Sequence, residues 1–394
     1  MKNLSIYIHI PFCVRKCLYC DFLSAPASGK EMESYVNLLL REIKRHAIFY
    51  GDHRVISIFM GGGTPSILPA RETGRILEQI RNSFFLAEDA EITVECNPGT
   101  VTAEKFEDYI TYGINRLSIG LQSTDDGELS RIGRIHDYRC FLETYRLARE
   151  AGIRNINIDL MSGLPGQSVD SYVETLKKVI ALEPEHISAY SLILEEGTEL
   201  YVNQNNYCFP DEEADREMYR LTGEYLREAG FHRYEISNYA RKGRECRHNR
   251  VYWQRGDYLG LGLGASSMVN NIRWKNQENG RAYADCVARL EGAAACAPGG
   301  RAFADALRSA GLMEVQELSC KEQMEEFMFL GLRLMEGVDT REFERLFLIS
   351  TQEVYGKSLA GLLEAGLIKR DGTQLRLTPR GIDLSNMVFA EFLL

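Results

Sequence analysis

The stretch "YIHIPFCVRKCLYCDF", Tyr7 to Phe22, sets a strand-like alternation directly against three cysteines, Cys13, Cys17 and Cys20. The spacing is C-x3-C-x2-C, on a loop that follows a first strand. A ferredoxin-type run is C-x2-C-x2-C-x3-C and normally brings four thiolates into play. A zinc site built here wants a fourth ligand, and only His9 or Asp21 is close by in sequence. A C-x-x-C redox pair at Cys17 and Cys20 leaves Cys13 out of role. Three thiolates on one tight loop suit three irons of a 4Fe-4S cube, with the fourth iron open to a small chelating ligand. The bland alternative is three unligated cysteines in a loop.

The strand that carries the loop ("LSIYIHI", 4–10) is the first of six. The others are 55–60, 91–96, 116–121, 155–161 and 186–192. Helix-like stretches with apolar residues at three and four lie between them, as in "EMESYVNLLLREIKRH" and "SVDSYVETLKKVIAL". Strands separated by such helices are βα units around a parallel sheet, either a partial barrel or a doubly wound sheet. "FHRYEI" (231–236) offers an edge strand. After about residue 240 the alternation fades, and 247–267 reads as loops with short strands. "AACAPGG" (294–300) is a plausible joint. Further helices and a hairpin, "GLIKRDGTQLRLT", with "DG" as its turn, suggest a small, mostly helical, winged-helix-like C-terminal domain. The expected division is 1–240, 241–300 and 301–394.

A chain of 394 residues has room for one large domain and one or two small ones. Its 45% hydrophobic and 26% charged residues are those of an ordinary globular protein. A net charge of -10 argues against unselective nucleic-acid binding, so no nucleic-acid partner is expected. No apolar run reaches the length of a membrane span, and the N-terminus lacks a signal-peptide pattern, so the expected location is cytoplasmic. Seven further cysteines without repeating spacings read as reduced and mostly buried.

Polar residues gather where the strands end. "GGGTPS" (61–66) follows the second strand. Its glycines permit close backbone approach to a ligand or serve only a tight βα turn, and no lysine follows to make it a phosphate loop. Exposed carbonyls there could accept from an ammonium group, and Thr64 could add a contact. Glu95 closes the third strand, Gln122 follows the fourth, Arg134 lies beyond it, and Asp159 sits near the end of the fifth. Carboxylates suit ribose hydroxyls and arginine suits a carboxylate. Each alone could equally be a cap or a rim residue. Tyr19, between two of the cysteines, could shield a cluster and meet a purine ring or simply pack, and Tyr7, just before the cysteine loop, could pack over the amino-acid end of a bound ligand.

The cysteine spacing after the first strand of a βα repeat resembles the radical S-adenosylmethionine superfamily. The resemblance implies a partial (β/α)6 TIM-like barrel, a 4Fe-4S cluster on Cys13, Cys17 and Cys20, and S-adenosyl-L-methionine chelating the open iron. Together "GGGTPS", "ECNPGT", "NRLSIGLQS", "NIDLMSGLPGQ" and "HISAYSL" narrow it to the oxygen-independent coproporphyrinogen III oxidase family, over at least residues 4–267. The small C-terminal domain also resembles that family's. The cofactor contacts this implies are Tyr7, Tyr19, Gly62, Gly63, Thr64, Glu95, Gln122, Arg134, Asp159 and Ala189.

That family has two branches. The oxidases convert two propionates of coproporphyrinogen III to vinyl groups and carry a further cysteine two positions after the third cluster cysteine. This chain has Phe22 there, and only twelve residues precede its first cluster cysteine. "HNRVYW" (248–253) matches the HNxxYW motif of the other branch, the haem chaperones. The resemblance to that branch implies haem as cargo, haem-requiring acceptor proteins, an electron donor for the cluster, and peripheral membrane association wherever an acceptor is membrane-bound. Its haem candidates are His248, Tyr252 and Trp253, with structural roles for His248 and Trp253 as the plain alternatives. Cofactor cleavage could be real, regulatory or vestigial, so the chain is an enzyme or a carrier on this reading.

Overall fold

The computed structural model describes residues 1–292, 296 and 298–394, so part of the joint expected at 294–300 lies outside the described residues. Six parallel strands form its centre: β1 (Lys2–Ile10), β2 (His53–Gly62), β3 (Phe85–Cys96), β4 (Arg116–Gln122), β5 (Ile156–Ser162) and β6 (His186–Ser191). They cover the expected runs, β3 starting well ahead of Glu91. Their order across the sheet is their order in the chain. A doubly wound sheet reverses at a switch point, and this one does not. Right-handed crossovers in unreversed order place the connecting helices on one face, the arrangement of a barrel wall.

The helices are held there by their apolar stripes. Helix Gly29–Ala47 buries Val36, Leu39 and Ile43. Helix Tyr138–Glu150 buries Phe141, Tyr145 and Ala148, and helix Val169–Ile180 buries Tyr172, Leu176 and Val179. Each begins where a side-chain oxygen (Ser28, Asp137 or Ser168) accepts from a first-turn amide. On the sheet, pairs such as Ile58 with Ile92 and Ile119 with Ile158 fix a register that buries both faces.

The sheet does not close. At the far edge, β7 (His232–Arg233) and β8 (Asn238–Ala240) run antiparallel beside β6. The edge strand expected over 231–236 is thus much shorter, and the chain turns back on itself. At the other edge β9 (Tyr258–Leu261) joins β1 in parallel. Antiparallel β10 (Ser266–Val269), β11 (Ile272–Lys275) and β12 (Met313–Glu317) follow. One apolar core runs from Leu4 to Leu312, taking in Phe303 and Leu307 of helix Gly300–Ala310.

The segment 247–267 departs from expectation, because Arg247–Trp253 is helical. Its first amides are satisfied from outside the segment. One carboxylate oxygen of Glu91 accepts from Arg247 N at 3.1 Å, and the other from His248 N at 3.2 Å. No local sequence signal carries that cap, since Glu91 lies on β3.

A second core, from Met328 to Phe392, belongs to a smaller and mostly helical C-terminal subdomain. It contains helices Cys320–Gly331, Thr340–Phe347 and Thr351–Glu364, with a sheet of β13 (Val338–Asp339), β14 (Ile368–Asp371) and β15 (Gln374–Leu377). The hairpin turn sits one residue beyond the expected "DG". Asp371 still pairs with Gln374, leaving Gly372, at φ 60°, and Thr373 in the turn. Among the described residues no helix is long and apolar enough to cross a membrane.

Candidate functional site

Parallel strands in sequential order deliver their C-terminal ends to one side, and the loops there carry the residues singled out by their sequence. The cysteine loop follows β1 and is tied down at several points. Cys13 N donates to Ala25 O at 3.1 Å and Ala25 N to Pro11 O at 3.0 Å, closing the loop's base. Leu18 N donates to Ile132 O, Leu200 N to Leu18 O, and Arg15 to Gly133 O. All three thiols are free and partly accessible. Among the described residues no three His, Cys, Asp or Glu side chains gather tightly enough to share one metal ion. A 4Fe-4S cube takes one thiolate per iron and needs a wider triangle than a single ion does.

The glycines after β2 answer first to the protein itself. Gly62 has φ 102°, and a Cβ there would run into the His9 ring. A Cβ on Gly63 would sit 2.6 Å from Phe12 O and 2.8 Å from Ile10 O. Gly63 N donates to Ile10 O at 2.9 Å and Thr64 N to Phe12 O at 2.7 Å. The triplet therefore lets β2 clamp the start of the cysteine loop, a role the sequence reading did not separate from ligand approach.

Polar side chains converge beside the clamp. Glu95 Oε2 accepts from Gly62 N at 3.2 Å. Burial, then the charge of Asp159, pushes the Glu95 carboxyl up to about 8. Asp159, raised chiefly by burial, accepts from Asn157 Nδ2 at 2.7 Å and Ser118 Oγ at 3.2 Å. Gln122 is buried with φ 75°, a left-handed conformation unusual for its type, and its Oε1 has no partner. The Nε of Arg134 is likewise buried and unpartnered. The Arg134 guanidinium lies 5.9 Å from the centre of the Tyr19 ring. Orphaned buried acceptors and donors, plus two raised carboxyls, fit a polar ligand bearing both positive and negative groups. Ala189 is buried on β6, its N–H donating to Ser237 O at 2.8 Å.

A cleft of about 500 Å³ opens next to the cysteine loop, within the range that takes a small organic ligand. Tyr7, His9, Lys16, Phe22, Tyr252 and Tyr258 are among its walls. Phe22 is 61% exposed, so the residue standing in place of the oxidases' extra cysteine is at the surface of the cleft and not in the core. Tyr252 and Tyr258 meet edge to face at 4.7 Å. His248 and Trp253 stand apart from these walls. His248 is buried, stacked on Phe59, with Nδ1 at 3.0 Å from Ser57 Oγ and Nε2 at 2.8 Å from Tyr252 OH. Both its ring nitrogens are therefore engaged. Trp253 faces the C-terminal subdomain, with the Arg333 guanidinium 4.2 Å from its ring centre.

The sequence reading passed over Asn97, two residues past Glu95 in "ECNPGT". Arg134 donates to its Oδ1 at 2.7 Å, and its Nδ2 donates to Thr64 Oγ1 at 2.8 Å. The i, i+2 relation to Glu95 was the available signal. Tyr258 and Lys16, also unremarked, could be placed only by the fold.

Comparison with known proteins gives the family. Residues 7–179 match the Radical SAM superfamily, and residues 318–384 match the HemN C-terminal domain. The chain is 34% identical over 392 residues to heme chaperone HemW of Bacillus subtilis, covering 99% of each. It is 42% identical over 270 residues to heme chaperone HemW of Escherichia coli, covering 68% of this chain and 71% of that one. The structure of the Escherichia coli coproporphyrinogen III oxidase HemN superposes with a TM-score of 0.84 at 23% identity, over 100% of this chain and 90% of that one. The chain belongs to the HemW/HemN-type family of radical SAM proteins.

Proposed function

We propose that this protein binds haem and passes it to haem-requiring acceptor proteins, while Cys13, Cys17 and Cys20 hold a 4Fe-4S cluster with exchangeable S-adenosyl-L-methionine. One observation carries the reading. The cleft beside the cysteine loop is walled by aromatic side chains, including Tyr252 of the "HNRVYW" helix, and Phe22 occupies the position where the oxidases resembled here have a cysteine. The names of the near-full-length relatives support it.

A flat macrocycle with carboxylate arms asks for aromatic faces and cations at the rim. Tyr252 and Tyr258 supply faces, and Lys16 and Lys275 supply cations, although Lys275 already pairs with Glu278. On this reading Tyr252 makes the haem contact, His248 fixes its hydroxyl from behind, and Trp253 seats the helix against the C-terminal subdomain. Glu95, Gln122, Arg134 and Asp159 would hold S-adenosyl-L-methionine, with Tyr7, Tyr19, Gly62, Gly63, Thr64 and Ala189 shaping the site. Such a cluster, when bound, supplies one-electron reduction, for which an external donor is required. A cytoplasmic location and docking to membrane-bound acceptors belong to the same proposal.

The rival reading is oxidative decarboxylation of coproporphyrinogen III. Anaerobically reconstituted protein given coproporphyrinogen III, S-adenosyl-L-methionine and dithionite is expected to release no carbon dioxide above background. Stoichiometric carbon dioxide with protoporphyrinogen would establish the oxidase instead.

A further inference from the structure

Arginine has only donors, and that fixes the direction of a hydrogen-bond chain ending on a cysteine. The Arg134 guanidinium donates to Asn97 at 2.7 Å, so the amide oxygen must face Arg134 and the amide nitrogen must face the other way. That nitrogen lies 2.8 Å from Thr64 Oγ1 and donates to it. With its oxygen so engaged as an acceptor, the Thr64 hydroxyl keeps its own proton for Cys13 Sγ, at 3.4 Å. The parts have little freedom to rearrange. Thr64 is buried at 3% exposure, and its amide is held on Phe12 O. The Asn97 backbone is held on both sides, its N–H by Ser66 Oγ at 3.2 Å and its carbonyl by Thr100 Oγ1 at 2.7 Å.

We infer that Asn97 is a positioning residue, aligned by Arg134, that turns the Thr64 hydroxyl onto the Cys13 sulfur and so raises the reduction potential of the cluster held there. The inference rests on the cluster assignment made above. Hydrogen bonds to the sulfurs are among the terms that set such potentials, because they stabilise the more negative, reduced state. In a chain of three bonds each polarises the next. Asn97 acts through Thr64, and Thr64 acts on the sulfur.

The test is an anaerobic, dithionite-driven potentiometric titration followed by electron paramagnetic resonance. It is run on the reconstituted full-length wild type, Thr64→Val, Asn97→Ala and the double variant. Thr64→Val keeps the shape and removes the donor, and its midpoint is expected to move to more negative potential. Asn97→Ala is expected to move it in the same direction, by no more than Thr64→Val does. The double variant is expected to match Thr64→Val, since the two residues form one chain. Equal potentials in all four proteins, or additive shifts, would overturn the role of Asn97 while leaving the cluster assignment standing. So would an Asn97→Ala protein that loads no cluster beside a normally loaded Thr64→Val. A wild type that assembles no 4Fe-4S cluster would overturn the assignment and the inference together.

Discussion

At the scale of single residues, His248 shows how burial decides what a motif residue can do. Burial, then the nearby positive charge of Arg116, holds its imidazole down at about 3 against an ordinary 6.5. The native ring is therefore neutral at physiological pH, one nitrogen toward Ser57 and the other toward Tyr252. Between pH 6.5 and about 3 the unfolded chain binds a proton at this position and the native one does not. The stability it contributes is fully present above 6.5 and is lost as the pH falls through that window, by up to about 1.4 kcal/mol per pH unit. Urea unfolding of wild type and His248→Gln at pH 7 and pH 5 checks this. The wild type should lose more stability over that interval than the variant.

At the scale of elements, the same helix depends on one carboxylate from another strand. Both oxygens of Glu91 take the first amides of Arg247–Trp253, and Cys246 Sγ lies 3.5 Å from one of them. Glu91→Ala leaves those buried donors unpaired, and is expected to cost about 2 kcal/mol in chemical denaturation. It should also weaken haem binding, because the helix carries Tyr252 to the cleft. This helix is where reading the sequence fell short. "RHNRVYW" has no cap of its own, and its partner lies far off in the chain on β3. The six parallel strands were legible because each is a short run rich in apolar residues, set off from the next by a stretch of helical period. The cysteine loop was legible from spacing alone. Of the two edge strands, β7 was legible only as part of a longer run over 231–236 and β8 was not, since two or three residues carry too little periodicity to read. Gly62 and Gly63 could be read as ligand-facing or as turn glycines; what requires them, the His9 ring against Gly62 and the clamp of Gly63 on Phe12 and Ile10, needs both strands in place.

At the scale of the whole molecule, the large core and the C-terminal subdomain meet through charged groups, of which Glu326, Arg255 and Glu235 are largely out of water. Glu326 receives Arg255 at 3.1 Å and Arg273 at 2.8 Å, with Glu326 and Arg255 both nearly buried. Glu336 pairs with Arg250, and Arg333 lies between Trp253 and the buried Glu235. Arg250 and Trp253 belong to the helix that brings Tyr252 to the cleft, so the subdomain and the cleft share one supporting element. Removing one partner of such a group leaves the other uncompensated. Glu326→Ala is expected to cost about 3 kcal/mol. In calorimetry the wild type is expected to unfold in a single transition and Glu326→Ala in two, one for each part.

Haem transfer by this protein requires the cleft beside the cysteine loop to be a haem site. An anaerobic titration of the reconstituted protein with haem, followed at the Soret band, tests it most directly. The expected result is a saturable band at one haem per chain, with affinity reduced about tenfold or more in Tyr252→Ala, as for loss of an aromatic anchor. Binding that does not saturate, or that is unchanged in Tyr252→Ala, would contradict it.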